Sequence, residues 1–500
     1  MHRFTLPSRI GAVSLVALFS ACTVGPDYRP PKPVLPEHWV EQSGNVPGPA
    51  RQDWVEWWRG FHDAKLNSLV EHALAGNLDL QAADTRISAA RAQQTATDAE
   101  RWPSINASSA YQRQRISPNA LLGALGSVQG GSKSGQSGGL LSTLGPIGTP
   151  FNLFQAGFDS AWELDLFGGI RRKVESAAAN SEAIEENRRD IQVSLSAEVA
   201  RNYLELTALQ AQLLIAQDRL KNQRELDRLV ENAYWEGMAT SLDAQRTKSE
   251  LQGVEGAIPS IEARIKNTRH ALALLLGLTP GALERELANP SDAIPSPPGI
   301  QIGMPSDLLR RRPDIRQAER TAASASASIG AAVAELFPKI SLTGAAGFQS
   351  QDLSNFTSLS SGFYGFGPRV SLPIFQAGRL LANVDAQEAR FKEALAAYDK
   401  TVLNALREVE DNLASIKGEH SRKKAHESAE RSSRQAAEAA MALYTEGETD
   451  LQTVLDTRRA WHDARDRLTQ SQLAWSTAHV ALYKSLGGGW EAEKPEETRE

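Results

Sequence analysis

Cysteine is almost absent from this chain of 500 residues: Cys22 is the only one, so no disulfide can form within it and no cysteine cluster can bind a metal. Long apolar runs are absent too once the N-terminus is passed. With none of the roughly 18 residues that a membrane helix needs, any bilayer crossing has to be made by strands. Positive charge is not in excess, because 54 Lys and Arg face 60 Asp and Glu for a net charge of -6. No polybasic tract stands out, which excludes an electrostatic footprint for nucleic acid. Catalytic patterns are missing as well. The nine histidines are scattered; His420 and His426 are six positions apart, whereas two ligands sharing one helix face need a spacing of four. Gly365-Phe366-Gly367 has no helix after it and is not a nucleotide motif. No enzyme, cofactor or metal site is expected.

What is there begins with an address. Arg3 and Arg9 precede the apolar stretch Ile10 to Phe19, and small residues end at Ala21-Cys22. This pattern predicts a signal peptide over 1–21 and a lipid-modified Cys22, carrying a palmitate-type anchor. Phe19 stands where a lipobox usually has Leu. Thr23, not Asp, follows the cysteine, which implies sorting to the outer membrane.

An internal duplication at a spacing of about 210 residues organises the rest. Phe167-Gly168-Gly169-Ile170-Arg171 opens a polar stretch leading to Tyr234-Trp235-Glu236-Gly237; Phe375-Gln376-Ala377-Gly378-Arg379 opens another leading to Tyr444-Thr445-Glu446-Gly447. Trp102-Pro103 and Phe337-Pro338 mark equivalent starts. Proline is missing between Gly168 and Ile258 and between Ile374 and Lys494, where Ala, Glu, Gln, Arg and Leu dominate. Apolar residues recur three or four apart, as in Ile191, Leu195, Val199, Leu206, Leu209, Leu213 and Leu220. The same holds for Phe391, Leu395, Tyr398, Val402, Leu406, Val409, Leu413 and Ile416. Such narrow stripes predict long coiled-coil helices, about 70 residues or roughly 100 Å each. Gly237 and Gly447 end them, and shorter helices run back as two αα-hairpins with exposed tips.

Segments 103–116, 151–167, 338–350 and 363–375 alternate at period two. Phe154, Ala156, Phe158, Ser160, Trp162, Leu164 and Leu166 share one face of the second; Tyr364, Phe366, Val370, Leu372 and Ile374 share one face of the last. About ten residues with aromatic ends is the length of a tilted membrane strand. Gly123 to Gly148 and Gln351 to Gly362 read as the connecting loops. Four strands cannot close and open edges are not tolerated in lipid, so several chains must share one barrel, two with eight strands or three with twelve.

Here the residues resemble a known family, the TolC-like outer-membrane efflux factors, and within it the lipoprotein branch of tripartite efflux systems. The resemblance runs nearly end to end. It rests first on Gly303-Met304-Pro305-Ser306-Asp307-Leu308-Leu309-Arg310-Arg311-Arg312-Pro313-Asp314-Ile315-Arg316, which is similar to that branch's linker between repeats. Cys22 to Tyr28, Trp57-Trp58 with Phe61-His62-Asp63, Leu274 to Gly277 and Pro373-Ile374-Phe375 add to it. The resemblance implies a homotrimer whose chains share a twelve-stranded barrel in the outer membrane lipid, continuing into a periplasmic helical barrel. It also implies a periplasmic adaptor protein and an inner-membrane efflux pump as partners, and a passive role exporting small molecules. Competing readings are a duct for type I protein secretion and a structural coiled-coil lipoprotein of the periplasm; the period-two segments speak against the second.

The expected fold is therefore mainly α with a membrane β-barrel part and a two-fold internal repeat. Its expected divisions are a signal at 1–21, an anchored segment at 22–61, a first repeat at 62–290, a linker at 291–305, a second repeat at 306–489 and a disordered tail at 490–500. Threefold symmetry would turn Glu446, Asp450 and Asp456 into carboxylate rings, natural gate and selectivity elements, with helix-dipole complementation as the plainer reading. By resemblance, Asp456 occupies an inner-gate aspartate position, while Thr449 and Thr453 stand where some members carry charge. Gly237, Gly447, Tyr234 and Tyr444 are the expected adaptor-docking tips.

Overall fold

The computed structural model describes residues 23–41, 54–115, 150–289, 293–299 and 303–490. The expected signal, the lipidation site Cys22, most of the first strand-connecting loop and positions 491–500 lie outside the described residues. Seven helices longer than one turn carry the described chain: α1 (Ala64–Gly76), α2 (Leu78–Ala99), α3 (Gly169–Trp235), α4 (Ser241–Leu275), α5 (Pro313–Ala334), α6 (Arg379–Glu446) and α7 (Leu451–Ser485). Four strands complete it: β1 (Ser104–Gln114), β2 (Phe151–Leu164), β3 (Lys339–Ser350) and β4 (Gly362–Ser371). The molecule is mainly α with one antiparallel sheet of order β1-β2-β3-β4. No described helix is long and apolar enough to cross a membrane.

One compact unit holds residues 92–178 and 324–391 together with the described start of the chain. In its sheet the register pairs Tyr111 with Phe154, Phe158 with both Ala107 and Ala346, and Ala346 with Tyr364. Directly opposed residues share a face. One face thus collects Ile105, Tyr111, Phe154, Phe158, Trp162, Leu342, Phe348, Tyr364, Phe366 and Val370. The other collects Asn106, Gln112, Asp159, Glu163, Thr343, Gln349 and Arg369, with Asn106 Nδ2 donating to Asp159 Oδ2 at 3.2 Å. Alternation at period two runs through all four strands and leaves Phe158, Tyr364, Phe366 and Val370 of the apolar face exposed.

The strand ends differ from the sequence reading in one respect. β2 stops at Leu164, so Leu166 lies beyond it, and β4 stops at Ser371, so Leu372 and Ile374 lie beyond it with no paired neighbour in the sheet. The matched motifs around Phe167 and Phe375 are also not equivalent in space. Gly168 and Gly378, at φ of 77° and 82°, both directly precede their long helices, which sets Phe167 against Ala377 and not Phe375. Phe167 stacks on Phe337 with centroids 4.7 Å apart, whereas Phe375 is exposed. The first junction is also tied down by the start of the chain. Val24 N donates to Phe167 O at 3.1 Å, and Arg172 donates to Val24 O and to Asp27.

The other unit spans 29–91, 179–323 and 392–490 among the described residues. Its largest core gathers Trp57, Trp58, Phe61, Leu66, Leu69, Leu204, Leu206, Leu209, Leu272 and Tyr483, with Trp57 stacked on Tyr483 at 5.1 Å. Asp63 caps α1 through the backbone N–H of Lys65 and Leu66, and its other oxygen accepts the Tyr203 hydroxyl at 2.8 Å. Pro259 sits inside α4 without ending it. Linker residue Arg312 is buried and forked onto Asp314 (2.6 and 3.0 Å), with a further donor to Glu408 and to Ser485 O.

Trp490, the first residue of the expected disordered tail, is packed into this unit. It is only 6% exposed, its Nε1 donates to Arg311 O at 2.9 Å, and the Arg189 and Arg316 guanidiniums each lie 5.2 Å from its ring centre. Glu186 bonds to both arginines. Glycines before it ease the approach: a side chain at Gly487 would strike Arg311 O and one at Gly489 the Ser196 hydroxyl, while one at Gly488 would sit tightly against the Trp57 ring.

Candidate functional site

The two hairpin tips are built alike. At the end of α3, Gly237 takes φ of 78° while its N–H reaches Tyr234 O at 3.0 Å and the next N–H, of Met238, reaches Ala233 O at 2.8 Å. At the end of α6, Gly447 takes φ of 77°, with Gly447 N on Tyr444 O and Glu448 N on Leu443 O. Both are Schellman closures that need a left-handed residue. Each returning helix is capped. Thr240 and Asp243 form a reciprocal capping box at α4, and Asp450 accepts Thr453 N at 2.8 Å at α7.

The tips differ in what they present. The first exposes Trp235, 77% open, with Met238 and Leu242 close by in sequence, and Tyr234 packs edge-on against Trp235 at 5.7 Å. Tyr444 instead packs half-buried on a small core of Leu226, Val230, Leu451 and Leu455. Among the candidate carboxylates, Asp450 is occupied by capping: its bond to the Thr453 hydroxyl, then that to the Thr453 amide, hold it below the usual carboxylate range. Asp456 accepts Gln452 Nε2 at 2.9 Å and lies 3.9 Å from Arg459. Glu446 is the exposed last residue of α6.

A set of charges the sequence did not single out lies on the helices behind the tips. Glu250 Oε1 accepts Arg219 and Oε2 accepts Arg459, each at 2.7 Å, joining α3, α4 and α7. Burial works to raise the Glu250 carboxyl, but the bonds from Arg459 and Arg219 outweigh it and hold it below its usual range. Arg465 pairs with Asp218 at 2.8 Å, and Arg224 with Glu255 at 2.9 Å. Beside them His462 is buried; burial first, then Arg219 and Arg465, push it down to about 4. Its Nδ1 has no hydrogen-bond partner. Among the described residues no group of three or more His, Cys, Asp or Glu side chains could hold a metal.

The described chain offers a sheet with a wet face and an apolar face, and charged helical hairpins with structured tips.

Comparison with known proteins follows the same lines. The profile of the family described as Outer membrane efflux protein matches residues 69–278 and 304–488, one stretch in each repeat. The probable efflux pump outer membrane protein TtgC of Pseudomonas putida is 32% identical over 481 residues, covering 95% of this chain and 94% of its own. The cation efflux system protein CusC of Escherichia coli K12 is 30% identical over 484 residues, covering 97% and 100%. The solved outer-membrane channel OprN aligns with a TM-score of 0.82 at 35% identity, covering 94% of this chain and all of that one.

Proposed function

Because the chain belongs to the outer membrane efflux protein family, we propose that this outer-membrane channel protein is the passive exit duct of a tripartite efflux system, working as a homotrimer with a periplasmic adaptor and an inner-membrane pump. The observation that carries the reading is the sheet. A four-stranded sheet with one apolar face, one polar face and two free edges is what a shared lipid-facing barrel requires, and a structural coiled-coil lipoprotein has no use for it. Cargo is exported as small molecules, with no catalytic step in this chain and the energy supplied by the pump. Cys22 carries the lipid that tethers the chain to the outer membrane.

The adaptor docks on the tips. The exposed Trp235 and Met238 beside Gly237 and Tyr234 form the apolar contact, and the Gly447 tip contributes its acidic rim, with Tyr444 holding that tip in place. Asp456 and Glu446 act as rings in the closing iris, whereas Asp450 combines any such role with capping α7.

Conductance of the purified protein in planar bilayers tests this. Discrete cation-selective openings, altered in size or selectivity by Asp456→Ala, are expected. If inserted protein of both kinds passes no current at any polarity, the duct reading is wrong.

A further inference from the structure

The charges behind the tips do not balance. Arg219 of α3, Glu250 of α4 and Arg458, Arg459 and His462 of α7 line one small cavity where the three helices meet. Glu250 is fully engaged, with one oxygen on Arg219 and the other on Arg459. Arg458 is left over. Its hydrogen bond runs to Asn222 O at a long 3.5 Å, and among the described residues no carboxylate pairs with it. Burial pulls its pKa down, with the field of Glu225 alone acting against the shift. A half-buried guanidinium in this setting is a charge without a counter-ion.

His462 supplies an independent observation. It is buried, it lines the same cavity, and its Nδ1 has no hydrogen-bond partner. With its pKa pushed down to about 4, by burial first, the imidazole is neutral near pH 7, and the tautomer carrying hydrogen on Nδ1 makes that atom a donor. The lining then selects its occupant by charge and by size. Three guanidiniums face one carboxylate, so the cavity favours a negative guest over water. Its clear space is about 10 Å³, close to that of a single water. A monatomic ion fits once the exposed Arg459 side chain yields a little, whereas a tetrahedral oxyanion does not.

We propose that this cavity binds one halide ion, chloride in ordinary salt, held by the guanidiniums of Arg219 and Arg458 with the Nδ1–H of His462 as a further donor. The ion lies between α3 and α7, the two helices that Asp218 and Arg465 also join at 2.8 Å. It gives Arg458 the counter-ion that the chain does not provide and gives His462 the partner that it lacks. Together with Glu250, the bound halide fastens the first hairpin to the second. Every residue of the site belongs to one copy, so the inference does not rest on the duct reading.

Crystals of the full-length protein grown in sodium bromide test the site directly. An anomalous bromide peak at hydrogen-bond distance from Arg219, Arg458 and His462 Nδ1 is expected, and it should be missing from Arg458→Gln crystals. In solution, thermal melts in chloride and in gluconate at equal ionic strength give a second readout. Wild type is expected to melt roughly 2 °C or more higher in chloride, with a rise that saturates as chloride increases. Arg458→Gln should lose that increment whatever its melting temperature in gluconate, and Arg458→Lys, which keeps the charge, should retain part of it. A water, or a carboxylate of a second copy, at this position in bromide-grown crystals overturns the proposal. Equal melting of wild type in the two salts does so too, as does a chloride increment that persists undiminished in Arg458→Gln.

Discussion

Glu250 of α4 accepts a hydrogen bond from Arg459 of α7 at 2.7 Å, an ion pair between the two hairpins across 209 residues of sequence. Its other oxygen holds Arg219, so a single carboxylate fastens three helices behind the tips.

Replacing Glu250 by Gln should therefore loosen this region. Half-exposed Arg459 screens part of the pair, leaving a cost on the order of 1–2 kcal/mol near neutral pH. The pH sign follows from a carboxyl held below its ordinary 4.5 in the fold. Its contribution is whole above that value and is lost as pH falls through the lower, folded one. Thermal melts of wild type and Glu250→Gln should differ at pH 7 and converge as the pH is taken progressively below 4.5. Identical melts at pH 7 would remove the interaction from the stability account.

His462 should make the protein acid-sensitive in a higher window. It is 4% exposed and pushed from 6.5 to about 4, so the unfolded chain takes up a proton that the fold refuses. Stability is complete above 6.5 and declines as pH drops towards 4, by on the order of 3 kcal/mol in total. His462→Leu should flatten that slope. Parallel slopes for the two proteins in denaturant titrations at pH 7 and pH 5 would refute the assignment.

Trp490→Ala should cost about 3–5 kcal/mol, the range for deleting a large buried aromatic. It also strips the ring from beneath Arg189 and Arg316. A drop of several degrees in melting temperature is expected. A change under one degree would show that the buried ring contributes little to stability.

At the start of the chain, Gly25→Ala should release residues 23–28 from the first strand-helix junction, because a Cβ there would overlap Gly330 Cα and the backbone sits at φ of 90°. Faster chymotryptic cutting after Tyr28 is the readout. Unchanged cutting would show that the segment holds without this approach.

Much of the fold could be read directly. Period-two alternation marked all four strands and assigned the faces of β2 and β4, and tip glycines marked the ends of α3 and α6, because both signals are local to a few residues. The ion pairs behind the tips were not legible. Arg219, Glu250 and Arg459 are ordinary helix-surface residues in sequence, and only the rotation of three helices about their axes brings them together. Phe375 misled for a related reason: a shared Phe-x-x-x-Arg spacing matched it to Phe167, while the hairpin registers and the helix starts put Ala377 there. Trp490 was hidden by the charged residues after it, although the Gly-Gly-Gly run before it is the kind of signal that marks close backbone approach.

Gly237→Val and Gly447→Val probe the tips. Both positions have open space for a side chain, so the penalty comes from the left-handed backbone, on the order of 1–2 kcal/mol and confined to the turn. Export should fail while trimer yield and membrane insertion stay normal. Full export from either variant would take the adaptor off that tip.

The open edges of the sheet carry a consequence for the cell that makes the protein. One chain holds a finished seam between β2 and β3 and two unfinished ones at β1 and β4, so no single copy is a hole in a membrane. Any pore built from this sheet therefore needs more than one copy, so its appearance depends on how often copies meet and not only on how many are made.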